Sequence, residues 1–560
     1  LPNHNIFIPS DLSLKSVEEK VSFPSMLRKT AFSRLWYKPD TMFFTPKAYI
    51  KMDFHCPLSQ SSPESAVLTD VFTSDDPPNL LLLAAYDAQV AGLYYIVKPN
   101  DTGFQVTMVG FNDKMRTLLE TVIGKIAEFE VKVDRFSVIK AVIFQAGTVF
   151  LSTSYELIKA FPFCHQEAMI KEHENFKFRQ PYQQVLYYCS LILDDQAWPW
   201  DEEFSALSHL EPSDLGNFLP HLMAKTFIEC YFAGLSSALL SFLLIAKISI
   251  SGNIEPNEAK SVIKHVEDVL FNAPISACKP LSPSQHLAKR IVKLEKGLRY
   301  YYPAMCLNNQ DENSALLHYI QACLLYLFLS ENTFNTQCNA ISIFSSLQTH
   351  QDNVKQNVLL QLLALVGKQP AFHQLRSVEQ LGYIALLRQR NDSGVRGLQF
   401  IIQSTVKDPA NLDARVENFL KMFEDTLYQM SDAEFKSNVS ALIDMKLEKY
   451  KNIREESAFF WGEISEGTLK FDRKEVEVAA LRELKKEELI DFFNDHVKVN
   501  APQKKVLSIQ VYGGLHAAEY QTIVQNAPPP QSCEITDICS FRRSRPLYGS
   551  FRGAVGQMKL

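Results

Sequence analysis

FHQLRSVEQLGYIALLRQRNDSGVRGLQFIIQST, residues 372–405, is the stretch whose reading decides the fold. EQLGYIALLRQ (379–389) reads as a helix end, a glycine at position 382 and a strand, RNDSG (390–394) as a turn, and GLQFIIQST (397–405) as a second strand. Two amphipathic helices follow, NLDARVENFLKMFEDTLYQM (411–430) and SDAEFKSNVSALIDMKLEKY (431–450). The same order stands earlier, with Gly92 lying 290 residues before Gly382. There GLYYIVKP (92–99) is a strand, NDTG (100–103) a hairpin turn and GFQVTMVGF (103–111) a strand, and MRTLLETVIGKIAEF (115–129) and DRFSVIKAVIFQ (134–145) carry helical spacing. Gly103-Phe104-Gln105 aligns with Gly397-Leu398-Gln399, and VDRF (133–136) and DAEF (432–435) each offer an Asp as helix N-cap. This is an internal duplication of a long unit. It predicts two α+β domains, each a mostly antiparallel sheet backed by helices.

Outward from the repeat, KAYIKMDF (47–54) and KVLSIQVYGG (505–514) read as strands, with Gly513-Gly514 a turn rather than a phosphate cradle, and helices fit 182–195, 211–223 and 257–272. Pro2, Pro9, Pro24 and Pro39 punctuate residues 1–40, which read as an irregular connector. A boundary between the domains falls near the Pro-rich segment 274–284.

Composition excludes several classes. The 560 residues carry 57 basic and 63 acidic side chains, a net charge of -6, which is no footprint for coating nucleic acid. With 46% hydrophobic residues and 38 Phe, the chain is not an acidic disordered one. Ten cysteines are scattered with no C-x-x-C pair, so they read as buried or free thiols. The opening LPNHNIFIPSDLSLK has no basic-then-apolar leader, and a Leu at position 1 reads as the interior of a longer chain. Thirteen histidines make neither H-E-x-x-H nor H-x-x-E-H; the group His165, Glu167, Glu172, His173 and Glu174 reads as a solvated helix face. CYFAGLSSALLSFLLIA (230–246) is uncharged over 17 residues, the lower limit of a membrane span, and reads as a buried strand plus an insert. The pair Arg376 and Tyr383 stands out. A guanidinium with five donors and a phenol hydroxyl near one helix face can hold a peptide carbonyl or the oxyanion that develops from it. Read without further context, the same residues fit an Arg376–Glu379 surface pair and a strand Tyr.

LRSVEQLGYI, GLQFIIQS, WGEI (461–464), LPNHNIFIPSDL, KTAFSRLWYK, GFNDK, HVEDVL, PLSPSQ and FRRSRPLYGSF together resemble the C-terminal half of the insulin-degrading-enzyme-like M16 zinc metallopeptidases, and look most like a plant member. The resemblance covers nearly the whole chain. It implies a clamshell of four homologous domains of the LuxS/mitochondrial-processing-peptidase-like kind, with the zinc motif H-x-x-E-H in a first domain absent here. Residues 1–40 would be the end of the preceding domain and the interhalf linker, 41–284 the third domain and 285–560 the fourth, with a tail over 525–560. The helix at 63–73, SPESAVLTDVF, would sit where the first domain holds zinc, and it has no His.

The resemblance also implies site residues and partners. Arg376 and Tyr383 match residues that reach the scissile peptide, and Phe372 matches a substrate-contacting aromatic. Lys449, Lys451 and Arg454 match a basic patch for a nucleotide or polyanion regulator, with Asn452 where another Lys is expected. Zinc belongs to the intact enzyme and not to this chain. The partners implied are the N-terminal catalytic half and peptide substrates, with a homodimer left open and neither nucleic acid nor membrane expected. The compartment is cytoplasm or peroxisome, the latter from the ending Met558-Lys559-Leu560.

Three segments depart from the family pattern: FTSDDPPNLLLLAAYDAQ (72–89), LSSALLSFLLIAKISISG (235–252), and the run from Ala322 to Gln348. The last two read as translated introns or gene-model errors, because the flanks rejoin into family pattern. The reading reached is the non-catalytic half of a peptide-degrading zinc endopeptidase, inactive alone. A stand-alone non-catalytic pairing or peptide-binding subunit stays open, as does a membrane-associated protein anchored through 230–246.

Overall fold

The computed structural model describes residues 5–12, 21–74, 82–129, 178–234, 256–271, 279–286, 289–322 and 352–549. The helix at 134–145 with VDRF, the His165–His173 group, the interruptions over 235–252 and 323–348, residues 274–278 of the boundary segment and the last three residues lie outside the described residues.

The first sheet holds β1 (Ser25–Lys29), β2 (Ser33–Pro39), β3 (Lys47–His55), β4 (Tyr94–Asn100), β5 (Gly103–Phe111) and β6 (Phe227–Gly234), in the order β1-β2-β6-β3-β5-β4. The second holds β7 (Arg299–Met305), β8 (Ser314–Gln321), β9 (Ile384–Asp392), β10 (Val395–Ser404), β11 (Val506–Tyr512) and β12 (Ser532–Glu534), in the order β12-β7-β11-β8-β10-β9. The pairings repeat as well. β2 and β6 run parallel, as do β7 and β11, and the pairs from there through each terminal hairpin are antiparallel; only the outer edges differ, with β1 antiparallel to β2 and β12 parallel to β7.

The aligned glycines share one physical reason. A Cβ on Gly103 would lie 2.0 Å from the carbonyl oxygen of Phe54, and a Cβ on Gly397 would lie 2.4 Å from that of Ile320. Each glycine stands at the end rung with the strand beside its hairpin, Gly103 opposite His55 of β3 and Gly397 opposite Gln321 of β8, and there that strand passes too close for any side chain. The β9–β10 turn puts Ser393 (φ 46) and Gly394 (φ 82) in the left-handed region, as a two-residue hairpin turn requires.

One face of each sheet packs on helices from its own part of the chain. Pro63–Ser74, Met115–Ala127, Pro212–Ala224 and Pro256–Phe271 share a core with the first sheet. Val354–Phe372, Pro409–Gln429, Asp432–Leu447 and Lys486–His496 share one with the second. The opposite faces are covered in exchange. Pro181–Leu193 lays Val185, Cys189 and Ile192 against Leu317, Ile401 and Ile509 of the second sheet. Ile453–Glu466 lays Ile453, Phe460, Trp461 and Ile464 against Trp36, Tyr49, Tyr231 and Ala233 of the first. Each such side chain, fully buried, contributes about 1.5–3 kcal/mol.

Two expectations need correction. Residues 25–39 are not irregular: β1 and β2 form the edge of the first sheet, and β2 is buried along its whole length. The helix at Asp432 is capped by Ser431, whose hydroxyl accepts from the Glu434 N–H; Asp432 sits one residue inside. Over 72–89 the expected departure from an unbroken helix is met: the described residues hold two helices, Pro63–Ser74 and Leu82–Val90, and Pro77 and Pro78 fall between them in sequence. Among the described residues no helix is long and apolar enough to cross a membrane, and residues 230–234 of the apolar run belong to the buried strand β6. The described cysteines, Cys56, Cys189, Cys230, Cys306, Cys533 and Cys539, are free thiols.

Candidate functional site

The helix Val354–Phe372 begins at Asn353, whose side chain accepts from the Gln356 N–H, and is held against its neighbours by buried Leu359, Leu362, Leu363 and Ala371. Gly367 lets it approach closely: a Cβ there would lie 2.9 Å from Leu387 of β9 and 3.3 Å from Phe423. Past Pro370 the helix widens into a π-helical turn, His373–Val378. Leu375 stays buried, so the wider turn swings Arg376 outward.

The chain then reverses. Leu381 N–H donates to the Leu375 carbonyl (3.1 Å), and Gln380 takes φ 51. Gly382 passes directly against β10, where a Cβ would be 1.9 Å from the Gln403 carbonyl oxygen. Only a glycine lets Tyr383 emerge there and turn into β9.

The outcome is a stacked triad. The Arg376 guanidinium lies 4.8 Å from the Phe372 ring centroid and 4.5 Å from that of Tyr383. Tyr383 is 83% exposed and Phe372 38% exposed. Stacking on two rings holds the flexible Arg side chain while its N–H edge remains open to a ligand. Among the described residues Arg376 has no ion-pair partner. Glu379 instead accepts from Gln374 Nε2 at 2.9 Å and faces Arg415 Nε at 3.6 Å. The structure therefore brings Arg376, Tyr383 and Phe372 together, but through the reversal at Gln380 and Gly382. A helix running on to Gly382 is not what joins them.

Lys449 and Lys451 are exposed on the turn between Asp432–Leu447 and Ile453–Glu466, Arg454 is exposed in the first turn of the second helix, and Lys451 Nζ lies 3.4 Å from Glu448. Asn452 is occupied as the cap of Ile453–Glu466, its side chain accepting from the Glu455 N–H at 2.9 Å. Sequence reading missed two further basic residues, Lys51 and Lys98 of the first sheet. Burial lowers the Lys51 pKa to about 8, with Lys98 and Arg454 adding to the shift and Asp53 opposing it. The signal available was the β3 alternation, which sets Lys51 on the same face as Tyr49; its ammonium lies 5.6 Å from the Trp461 ring.

Zinc does not fit what is present. The helix Pro63–Ser74 carries no His, and among the described residues no group of three His, Cys, Asp or Glu side chains could hold a metal ion.

Residues 1–206 match the family model described as the middle or third domain of peptidase M16, and residues 362–461 match that described as PQQ synthase PqqF-like, C-terminal lobe domain 4. The chain is 53% identical to insulin-degrading enzyme-like 1, peroxisomal, of Arabidopsis thaliana, over 100% of this chain and 50% of that protein. It belongs to the M16 peptidase family. To the human insulin-degrading enzyme this M16 chain is 30% identical, over 98% of itself and 47% of that enzyme. Its fold matches the crystal structure of pitrilysin with a TM-score of 0.75 at 18% identity, over 98% of this chain and 49% of that one. The M16 chain thus spans about half the length of the curated relatives it matches.

Proposed function

We propose that this chain is the non-catalytic C-terminal half of an M16 zinc metalloendopeptidase that degrades peptides in a closed chamber. Its third and fourth domains would meet near residue 285, with β1 and β2 joined to the third. The observation that carries the reading is the stacked triad on a family member's surface. Arg376, half-buried and stacked, and Tyr383, exposed, are donors that would hold the scissile carbonyl as negative charge develops on it, and Phe372 would contact the substrate side chain. The zinc used by the family would belong to the N-terminal half, which is the partner this reading requires. Lys449, Lys451 and Arg454, with Lys51 and Lys98 beside them, would receive a nucleotide or polyanion. The peroxisome fits the name of the Arabidopsis relative and the ending Met558-Lys559-Leu560. A fluorescent fusion with a free C-terminus tests this: punctate signal should become diffuse on deleting Leu560.

The test of function is reconstitution with an M16 half that carries H-x-x-E-H, assayed on a fluorogenic peptide. Activity is expected only in the mixture. Tyr383→Phe should lower kcat by about 10²–10³ with a smaller change in KM, the loss of a donor used mainly in the transition state. Arg376→Lys, lacking the planar fork, should also lower kcat. An unchanged kcat in both variants removes the triad from the chemistry.

A further inference from the structure

The helix Ile453–Glu466 covers only part of one face of the first sheet. It seats on Trp36, Tyr49, Tyr231 and Ala233, from β2, β3 and β6. Strand register puts Lys51 of β3, Thr107 of β5 and Ile96 of β4 in one row of that face, with Tyr49, Val109 and Tyr94 in the next. Tyr94 is 54% exposed and Ile96 59%, both on the edge strand. Lys51 therefore stands at a step. Covered aromatic rings lie on one side of it and an apolar strip open to solvent on the other.

The Lys51 side chain is half-buried, and its Nζ lies 5.6 Å from the Trp461 ring centroid and 5.7 Å from that of Tyr49. Among the described residues neither a hydrogen bond nor an ion pair holds that amine, and it is not sealed from solvent. Burial, then Lys98 on β4 and Arg454 on the helix, lower its pKa to about 8, against the opposing pull of Asp53 on its own strand. At pH 7.4 about a fifth of the side chain is then neutral amine, against about a thousandth for an ordinary lysine. A lysine kept neutral by apolar surroundings and neighbouring cations is an activated nucleophile.

We propose that Lys51 is a carbonyl-capturing amine for aldehydes that carry an apolar chain, the chain lying over Thr107 onto Ile96 and Tyr94. Neighbouring strands lie about 4.8 Å apart, so a chain of about six carbons spans the two steps from Lys51 to Ile96. The amine nitrogen adds to the aldehyde carbon, and the carbonyl electron pair moves to oxygen. The carbinolamine then loses water and leaves an imine on Nζ. The ammonium proton goes to solvent, and no oxidant or reductant takes part. The site does not rest on the proposed peptidase role.

The full chain is treated at pH 7.4 with hexanal, or with acetaldehyde, in the presence of cyanoborohydride, which reduces the imine to a stable secondary amine. Peptide mapping by mass spectrometry reads each lysine. Hexanal is expected to label Lys51 about tenfold faster than Lys98, which is exposed on the same face. Pulse labelling with acetic anhydride across a pH series should give Lys51 a midpoint at about 8. Neither measurement needs a variant. Ile96→Ser should slow hexanal several-fold and leave acetaldehyde, which has no chain, unchanged. Labelling of Lys51 no faster than Lys98, a midpoint near the ordinary lysine value of about 10.4, or an Ile96→Ser effect that is absent or equal for both aldehydes overturns the proposal.

Discussion

Lys38, at the end of β2, and Glu456, on the helix Ile453–Glu466, meet at 2.9 Å with side chains only 2% and 5% exposed. At that distance and an effective dielectric of about 20, their attraction is about 6 kcal/mol. Most of it offsets the cost of taking both ions out of water. Burial pushes the Glu456 carboxyl up, Lys38 pulls it back, and Asp40 adds to the rise. Removing one partner strands the other. Lys38→Met and Glu456→Gln should each cost about 3–5 kcal/mol, whereas Lys38→Met with Glu456→Leu should lie within about 1–2 kcal/mol of the parent. Trp36 and Trp461 belong to the same buried cluster, so urea unfolding followed by Trp fluorescence reads this contact directly. Single variants within 1 kcal/mol of the parent, or a double variant as unstable as the sum of the singles, would show that the pair is not what joins the two sheets here.

Three further outcomes are expected. Gly382→Ala, which forces a Cβ against the Gln403 carbonyl, should destabilise by about 1–3 kcal/mol in thermal melts and weaken peptide binding by displacing Tyr383. Lys51 has its pKa lowered from 10.5 to about 8, so the unfolded chain binds more protons between those values and stability rises with pH across that window. Lys51→Met should therefore stabilise by about 1–2 kcal/mol at pH 7, after discounting for its partial exposure, and urea midpoints should converge above pH 10. Burial raises the Asp413 carboxyl, but Arg299 and His318 outweigh it and hold it well below the usual carboxylate range. Its contribution is present above the ordinary value of 3.8 and is lost as pH falls; Asp413→Asn should cost about 3–5 kcal/mol near neutrality and flatten acid unfolding followed by circular dichroism.

The hairpins at 94–111 and 384–404 were legible because turn residues, alternation and a steric glycine all act within a few residues of one another. β2 was not. SRLWYKP is buried on both faces, between β1 and β6 and beneath the helix Ile453–Glu466, so it shows no alternation, and Pro39 at its end, with Pro24 just before β1, resembles loop punctuation. Arg376, Tyr383 and Phe372 could be named from their motif, but the stacking rests on a π-helical turn and a left-handed Gln380 that no local pattern announces. Lys51, Lys98 and Arg454 are drawn together only by the fold, and no spacing rule links a residue of β3 to one 403 positions later.

The exchange of covering helices has a consequence for how such a protein can be divided. A cut near residue 284 separates the second sheet from Pro181–Leu193 and the first from Ile453–Glu466. Each fragment would present a bare apolar face to water and would seek another chain to cover it. Although the two sheets share one arrangement of strands, neither is a module by itself. The smallest piece that can be moved, swapped or inherited intact is the pair.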